Sequence, residues 1–279
     1  MKQLLVLLMV SILIGCNAST VEEPTQERTE TDQEQTETTE NIPEDKENKP
    51  EDPPTSEKGE GEPAEPEEPK ITYTISPANW TMQTESTEHE KAVLLTIDDA
   101  PDTYGLEMAQ TLKELNVPAI FFINGHFIDT GEEKEVLRKI HDLGFEIGNH
   151  TMTHTNLSNL SVEEQKQEIL TLNEEIEAIT GEKPIFFRAP FGVNTDFSKN
   201  LVNEQNMMFM NWTFGYDWEA EYQNSQALTD IMVNTELLTN GAIILAHDRE
   251  WTNEALKNIV EGLRGKGYTF IDPDQIEKK

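Results

Sequence analysis

Five side chains in this sequence could together bind a metal ion and move protons: Asp98, Asp99, His150, His154 and His247. His150 and His154 are four residues apart, so one helical turn would place both imidazoles on one side, about 5–6 Å apart at Cβ. A lone histidine pair more often caps a helix or lies on a surface, but a carboxylate from another strand end favours a metal site. Asp99 would complete a His₂Asp set that leaves positions open for water and substrate, as catalytic metal sites require.

The adjacent pair Asp98 and Asp99 could divide two tasks. In an extended segment their side chains point to opposite sides, so one carboxylate could bind the metal while the other takes a proton from water. An Asp-Asp pair considered alone is typical of a turn or a helix cap, and Pro101 fits a sharp exit from a strand. Spacing alone does not assign the roles.

The elements that must position these residues follow an alternating pattern of short β-rich apolar runs and amphipathic segments. We predict strands at Ala92–Ile97, Ala119–Asn124, Phe145–Gly148, Ile185–Phe187, Met207–Trp212, Ala242–Ala246 and Tyr268–Ile271. We predict helices at Tyr104–Leu115, Glu132–Leu143, Ser161–Thr180, Ser198–Gln205, Ser225–Thr239 and Thr252–Arg264. Such β/α repetition predicts a parallel sheet with helices packed outside it.

Reactive or polar residues come directly after six successive predicted strands. In chain order they are Asp98–Asp99, Asn124–His126, His150–His154, Arg188–Pro190, Asp217–Trp218 and His247–Asp248. The C-terminal ends of the strands in a β/α barrel share one face, where catalysis takes place in that architecture. A closed or partly closed barrel therefore fits better than an open sheet, and it predicts one site.

The chain is strongly acidic, with a formal net charge of −33 over 279 residues. Residues 17–70 contain 19 acidic against 5 basic residues, and the remainder from Ile71 contains 35 against 15, so both parts are acidic. Because duplex binding depends on Lys and Arg neutralising phosphates, this charge argues against a nucleic-acid partner. Salty or alkaline surroundings and a simple need for solubility are both compatible with it.

The N-terminus is typical of an export signal. Residues 1–15 are predicted to be a signal peptide that is removed, because Lys2 is followed by the apolar run Leu4–Ile14. This run is too short to span a bilayer as a mature helix. Leu13–Cys16 resembles the bacterial lipobox, whose acylated cysteine becomes the mature N-terminus; a cleaved signal with an incidental cysteine is the alternative. Since Cys16 is the single cysteine, internal disulfides and multi-cysteine zinc sites are excluded.

Residues 16–70 comprise this cysteine and a Glu/Thr/Pro-rich linker that has too few large apolar side chains to fold, so we expect disorder. As a flexible coil it would reach about 40 Å. We expect acyl chains on Cys16 to anchor the chain to the outer face of the cell membrane. The linker would then let a monomeric catalytic domain at residues 71–279 reach into the wall of a Gram-positive cell.

These residues together resemble the polysaccharide deacetylase family, also called the NodB-homology or carbohydrate esterase 4 family. The resemblance covers about Ala92 to Ile271 and rests on five motifs in the family's order. They are TIDDAP at 96–101 for T-F-D-D-G-P, HTMTH at 150–154 for H-[ST]-x-x-H, RAPFG at 188–192 for R-x-P-[YF]-G, DW at 217–218 for the end of D-x-x-D-W, and LAH at 245–247 for L-x-H. Each motif is weak alone, but five in register are specific.

The resemblance implies an α/β fold, a distorted (β/α)₇ barrel. It implies an N-deacetylase of cell-wall polysaccharide that acts on the GlcNAc or MurNAc units of peptidoglycan. It also implies one divalent metal ion on Asp99, His150 and His154, usually Zn²⁺, although Co²⁺ or another divalent ion fits the same ligands. Chitin oligomers and O-acetyl esters are alternative substrates for the same chemistry.

The resemblance further implies roles for the other site residues. Asp98 would be the general base and His247 the general acid, with Arg188 and Asp217 orienting them. The substrate side would consist of the backbone N–H of Phe191, which stabilises the oxyanion, and of Trp218 and Leu245, which wall the acetyl pocket.

Two positions depart from the family pattern. Ala100 replaces the usual Gly, which would be strained if its φ were positive. Phe214 stands where the first Asp of D-x-x-D-W would be, so the partner of Arg188 is open, with Asp217 or Asp248 as candidates. These departures also motivate a second hypothesis, a lipoprotein of little catalytic activity that binds and stabilises the wall.

Overall fold

The structure, a computed structural model, describes residues 72–86 and 91–278 of the chain. The predicted signal peptide, the acylated Cys16, the linker and the domain boundary at residue 71 lie outside the described residues and stay predictions. Within the described part, no helix combines the length and the apolar character needed to cross a membrane.

Nine strands, six α-helices and five short 3₁₀ helices make up the regular structure of the described residues. The strands are β1 Thr74–Ser76, β2 Thr81–Gln83, β3 Ala92–Ala100, β4 Ile120–Ile123, β5 Glu146–Asn149, β6 Phe186–Phe187, β7 Met208–Phe209, β8 Ala242–His247 and β9 Thr269–Phe270. The helices are α1 Gly105–Glu114, α2 Gly131–Asp142, α3 Val162–Thr180, α4 Asp196–Glu204, α5 Ser225–Asn234 and α6 Glu250–Gly265. Every predicted element has a counterpart, whereas the hairpin of β1 and β2 was not predicted.

The strands form one curled sheet in the order β1-β2-β8-β3-β4-β5-β6-β7. The strands from β3 to β8 pair in parallel, and the β1–β2 hairpin adds to β8 in antiparallel fashion. β9 pairs with the first two residues of β3 and lies outside this path. The predicted parallel sheet with outer helices is therefore confirmed.

The curl closes into a distorted barrel through the segment that follows β7. Phe214 bridges Ile244 of β8, and the amide of Leu245 donates to the carbonyl of Phe214 at 2.8 Å. The amide of Thr213 likewise donates to the carbonyl of Ile243 at 2.8 Å. The expected distorted barrel is thus present, with β9 beside the circuit rather than within it.

β3 shows how the sheet separates two layers of core. Val93, Leu95 and Ile97 pack with the apolar faces of the helices, whereas Leu94 lies in the inner cluster with Phe122 and Phe186. Because strand side chains alternate between faces, the next inner positions after residue 94 are 96 and 98. Asp98 is therefore delivered to the interior at the C-terminal end of the barrel.

The predicted cap of the longest helix is present. The Ser161 hydroxyl accepts from the amide of Glu164, and the Glu164 carboxylate accepts from the amide of Ser161 at 2.8 Å. The helix ends at Gly181, which has a φ of 85°. This reciprocal capping satisfies amides that a helix start would otherwise leave free.

We predict that Gly241→Ala destabilises the fold. Gly241 precedes β8 with a φ of 76°, and a Cβ there would collide with the carbonyl oxygen of Met82. Its own carbonyl accepts from the Met82 amide at 2.7 Å, so the hairpin cannot simply move away. Backbone strain alone costs about 1–3 kcal/mol, and the collision adds to it. Chemical denaturation measures the loss.

Gly265→Ala is the matched control, since its Cβ would meet nothing within 4 Å. It should leave the free energy of unfolding unchanged or slightly higher, because Ala favours a helix over Gly. Equal stabilities of the two variants would contradict the packing at Gly241.

Candidate active site and metal centre

Asp99, His150 and His154 meet at the C-terminal end of the barrel. The Oδ1 atom of Asp99 lies 3.8 Å from Nε2 of His150 and 3.5 Å from Nε2 of His154. One ligand atom from each of the three residues falls within 4.8 Å of the others. Asp99 and His150 are buried and His154 is half-buried, so the cluster opens to solvent on one side.

Hydrogen bonding fixes the imidazole of His150 in the tautomer that a metal ligand needs. Its Nδ1 lies 2.7 Å from the carbonyl oxygen of Arg188, which can only accept, so Nδ1 carries the proton. The lone pair is therefore on Nε2, the atom that faces Asp99. Burial lowers the pKa of His150 to about 3, and the ring is neutral at physiological pH.

The three residues fit a divalent ion. The Oδ1 atom of Asp99 is buried, yet it has no hydrogen-bond partner among the described residues, and an unsatisfied buried oxygen is costly unless something binds it. A tetrahedral zinc site with bonds of about 2.0–2.2 Å places neighbouring donor atoms about 3.3–3.6 Å apart. Small movements would bring the observed donors to that spacing.

The expectation that Asp98 and Asp99 point to opposite sides is wrong. The pairing of β3 with β4 shifts register between Ile97 and Ala100, and Asp99 has a left-handed φ of 58°. This irregularity turns both carboxylates toward one histidine, since Oδ2 of Asp98 lies 3.5 Å from Nε2 of His150. Asp tolerates the left-handed region better than most residues.

The expected helical turn between His150 and His154 is also absent. The segment is an irregular loop in which Thr151 has a φ of 72° and His154 a φ of 55°. The imidazoles still lie side by side, with ring centroids 4.9 Å apart. The loop achieves what the sequence spacing suggested, but through two left-handed residues rather than a helix.

Arg188 is fully buried inside the barrel and pairs with Asp98. Its Nη1 donates to Oδ1 of Asp98 at 2.6 Å and to the hydroxyl of Thr96 at 2.8 Å. Its guanidinium also lies over the ring of Phe122, 4.3 Å from the centroid. Burial raises the pKa of Asp98, and the charge of Arg188 opposes that rise. Asp98 is thus held by one oxygen while the other faces the histidines.

Asp217 holds His247 in a fixed orientation. Its Oδ1 lies 2.7 Å from Nδ1 of His247, and its Oδ2 accepts from the His247 amide at 2.6 Å and the Thr252 hydroxyl at 2.8 Å. Burial lowers the pKa of His247, but the Asp217 carboxylate, its hydrogen bond and the charges of Asp98 and Asp99 together outweigh burial, so the net pKa is raised. A larger fraction of this imidazole is therefore protonated near neutral pH than of a free histidine.

The partner of Arg188 is neither of the two expected carboxylates. Asp217 serves His247, and the buried Asp248 accepts from the amides of Tyr104 and Gly105 at 2.6 and 2.7 Å, at the start of α1. The carboxylate that Arg188 contacts is Asp98 itself.

The backbone strain that a positive φ would cause at Ala100 is not present. Ala100 is a buried strand residue and is not among the described residues with positive φ; the left-handed residue is its neighbour Asp99.

Two exposed aromatic side chains flank the histidines. Phe191 is 63% exposed and its ring lies edge-on to His154, with centroids 4.9 Å apart. Trp218 is 43% exposed and meets His247 edge-on at 5.6 Å. Leu245, by contrast, is buried in β8 two residues before His247 and on the same strand face. These positions are compatible with the expected substrate side of the site.

Sequence reasoning missed Arg249. Its Nη2 donates to Oδ2 of Asp99 at 2.7 Å, so it contacts a proposed metal ligand directly. The one sequence signal for it is its place two residues after His247, at the same strand end. A contact between residues 150 positions apart has no local pattern that would reveal it.

Comparison with known proteins supports the family resemblance. The sequence profile of the polysaccharide deacetylase family matches residues 85–210, a range that ends before Asp217 and His247. A peptidoglycan-N-acetylglucosamine deacetylase of Bacillus cereus is 30% identical over 67% of this chain and 89% of its own length. The peptidoglycan-N-acetylmuramic acid deacetylase PdaA of Bacillus subtilis is 29% identical over 68% and 73%.

Other relatives extend beyond this chain. A bifunctional xylanase/deacetylase of Pseudobutyrivibrio xylanivorans is 27% identical over 68% of this chain, which spans only 31% of that protein. Among solved structures, a family pseudoenzyme from Bacillus anthracis is 30% identical, with a TM-score of 0.60 over 67% of this chain and 65% of its own. The sequence match to the B. cereus deacetylase and the shared fold lead to one conclusion: the chain belongs to the polysaccharide deacetylase family.

Proposed function

We propose that this chain is a metal-dependent hydrolase that removes N-acetyl groups from cell-wall amino sugars, the GlcNAc or MurNAc units of peptidoglycan. The observation that carries the proposal is the Oδ1 atom of Asp99, which has no hydrogen-bond partner in the described part of the chain and faces the Nε2 atoms of His150 and His154 beside Asp98. A divalent ion held there would polarise the acetyl carbonyl and make water a stronger acid. We propose Zn²⁺, because two imidazoles and a carboxylate are typical of catalytic zinc sites; Co²⁺ or another divalent ion would fit the same donors.

Asp98 is suited to accept the proton of the attacking water. Arg188 holds its Oδ1 at 2.6 Å, which leaves Oδ2 toward the metal ligands. A base works best when its pKa approaches the operating pH, and burial raises the pKa of Asp98 in that direction. Arg188 therefore positions the base, and its charge favours the ionised form against the effect of burial.

His247 is suited to donate the proton that the leaving nitrogen needs. Asp217 fixes Nδ1, so Nε2 is the free ring nitrogen, and the raised pKa keeps the ring protonated at higher pH. Hydroxide adds to the acetyl carbon, the C–N bond breaks, and the nitrogen leaves as the amine with the proton from His247. The products are acetate and a free amino sugar, while the backbone N–H of Phe191 would stabilise the oxyanion.

The proposed substrate and location rest on the relatives and on the N-terminus. Two relatives are named as peptidoglycan deacetylases, one for each amino sugar. An acylated Cys16 and the acidic linker would hold a monomeric domain at the outer face of the membrane, within reach of the wall. We therefore favour peptidoglycan over chitin oligomers and O-acetyl esters.

A second candidate is a wall-binding lipoprotein of low activity. The observation in its favour is the likeness to the B. anthracis pseudoenzyme, together with the motif departures at Ala100 and Phe214. Acetate release separates the two candidates. The proposed hydrolase function would be refuted by a wild-type chain that binds one metal ion and peptidoglycan but releases no acetate from any acetylated glycan.

We predict that Asp98→Asn and Asp99→Asn fail in different ways. Without the base, Asp98→Asn should retain one metal ion and release acetate about 10²–10⁴-fold more slowly. Asp99→Asn should lose metal affinity first, because it removes a ligand. Metal content and acetate release from peptidoglycan and chito-oligomers measure both.

Asp142→Asn is the matched control, since this exposed residue ends α2. It should match the wild type in metal content and in turnover. Because Asp98→Asn leaves Arg188 buried without its partner, its thermal unfolding is measured as well. Loss of metal in Asp98→Asn, with a folded chain, would contradict the assignment of roles.

We predict that Asp217→Asn shifts the alkaline limb of the pH profile to lower pH. The acid must be protonated, so activity falls as pH rises through the pKa of His247. Asp217 raises that pKa, and its loss should move the limb down by about 1–3 pH units. The profile of kcat/KM gives the limb, and an NMR titration of the His247 ring gives the pKa directly.

Thr252→Val is the control for the pH experiment, because it removes a hydrogen bond to Asp217 and leaves the carboxylate. Its alkaline limb should stay near that of the wild type. If NMR shows a lowered pKa in Asp217→Asn while the alkaline limb does not move, His247 is not the acid.

We predict that Cys16→Ser abolishes acylation. Wild-type cells fed a radiolabelled fatty acid should yield a labelled protein, whereas Cys16→Ser cells should not, because the sequence has no other cysteine. The purified variant should release acetate from soluble chito-oligomers at the wild-type rate. If the wild-type protein is also unlabelled, Cys16 is not acylated, and the alternative of a cleaved signal peptide with an incidental cysteine is favoured.

A further inference from the structure

Arg249 lies at the rim of the metal centre, where β8 gives way to α6. It is the N-cap residue of α6, with extended backbone angles of φ −140° and ψ 153°. Its side chain is 35% exposed, so the guanidinium lies between solvent and the site. Neither the family motifs nor the proposed mechanism gives it a task.

The two oxygens of Asp99 have different surroundings. Oδ1 faces Nε2 of His150 and of His154 at 3.8 and 3.5 Å and has no hydrogen-bond partner among the described residues. Oδ2 accepts from Nη2 of Arg249 at 2.7 Å, a length typical of a strong, charge-assisted hydrogen bond. The guanidinium thus occupies one oxygen and leaves the other free for a ligand.

Arg249 is itself held in place. Its Nη1 donates to the carbonyl of Asp248 at 2.8 Å and lies 3.5 Å from Oδ2 of Asp102. The amide of Asp248 donates to the carbonyl of Asp98 at 3.0 Å. This backbone hydrogen bond joins the segment that carries Arg249 to the strand end that carries Asp99. The guanidinium is therefore held in a fixed position relative to the Asp99 carboxylate.

We propose that Arg249 is a positioning residue that holds Asp99 as a one-oxygen metal ligand, an inference that rests on the proposed function. Without a partner at Oδ2, the Asp99 carboxylate could rotate and present both oxygens to the ion, and the hydrogen bond from Arg249 prevents that rotation. Outer partners of metal ligands commonly change metal affinity by 10–100-fold when they are removed. The opposite effect is repulsion between the guanidinium charge and a cation, which would make Arg249 weaken metal binding. An orienting role thus predicts weaker metal binding when Arg249 is removed, whereas charge repulsion predicts tighter binding.

The test is the Zn²⁺ affinity of the full chain, purified in detergent and measured by competition with a chromophoric chelator. Arg249→Ala should bind Zn²⁺ about 10–100-fold more weakly than the wild type. Arg249→Lys should fall between them, because an ammonium keeps the charge but lacks the rigid fork. Unchanged or tighter binding by Arg249→Ala would overturn the proposal.

Arg138→Ala is the matched control, since this exposed arginine on α2 pairs with Glu135 and its loss changes the net charge equally. It should bind Zn²⁺ like the wild type. The Co²⁺-loaded proteins add a second readout, because a change from one to two Asp99 oxygens alters the visible spectrum. An identical Co²⁺ spectrum in Arg249→Ala and the wild type would also count against the proposal.

Folding and function are separated by two further measurements. Thermal unfolding in excess chelator should be the same for Arg249→Ala and the wild type; if Arg249→Ala unfolds, Arg249→Lys decides, and wild-type affinity in that variant overturns the proposal. A wild-type chain that binds no metal would refute the proposed function and this inference together. A wild-type chain that binds metal and releases acetate, with Arg249→Ala unchanged in affinity, would refute this inference alone.

Discussion

The ion pair between Arg188 and Asp98 is the constraint on which the interior of the barrel depends. Both side chains are buried, and they meet at 2.6 Å. Removing either partner from such a pair leaves an uncompensated charge, which costs about 3–5 kcal/mol. The pair joins the end of β6 to the end of β3, and the ring of Phe122 covers the guanidinium. It therefore fixes the position of one carboxylate on which the chemistry depends.

The site itself is made where the chain leaves regular geometry. Of the seven described non-glycine residues with positive φ, four belong to the site: Asp99, Thr151, His154 and Phe191. Such backbone costs energy and persists only where the surroundings enforce it. The strands below the loops supply that enforcement through parallel pairing and a dense apolar core. The barrel thus stabilises turns that would not form alone and that aim ligands at one point.

Most of the fold could be predicted because its signals are local. Periodic apolar segments indicated the strands and helices, and the capping pair Ser161 and Glu164 marked the longest helix. The β1–β2 hairpin escaped because strands of three residues with polar positions carry little pattern. The convergence of reactive residues followed from their places after successive strands. The turn at Asp99 and the contact of Arg249 with Asp99 could not follow, because they depend on register and on residues distant in the chain.

Phe214 shows how one departure from a motif changes both structure and charge. An acid at this position would be the expected partner of Arg188 in the family pattern, yet Phe214 instead bridges to β8 and helps to close the barrel. The remaining donors of Arg188 go to neutral oxygens, among them the carbonyl of Asn211 at 3.2 Å. Asp98 is consequently the one carboxylate in contact with this guanidinium within the described residues. The charge of Arg188, which no second carboxylate shares among these residues, favours the ionised form of Asp98, while burial raises its pKa. With Phe214 in place of an acid, Arg188 thus forms an ion pair with the proposed base alone in the described part of the chain.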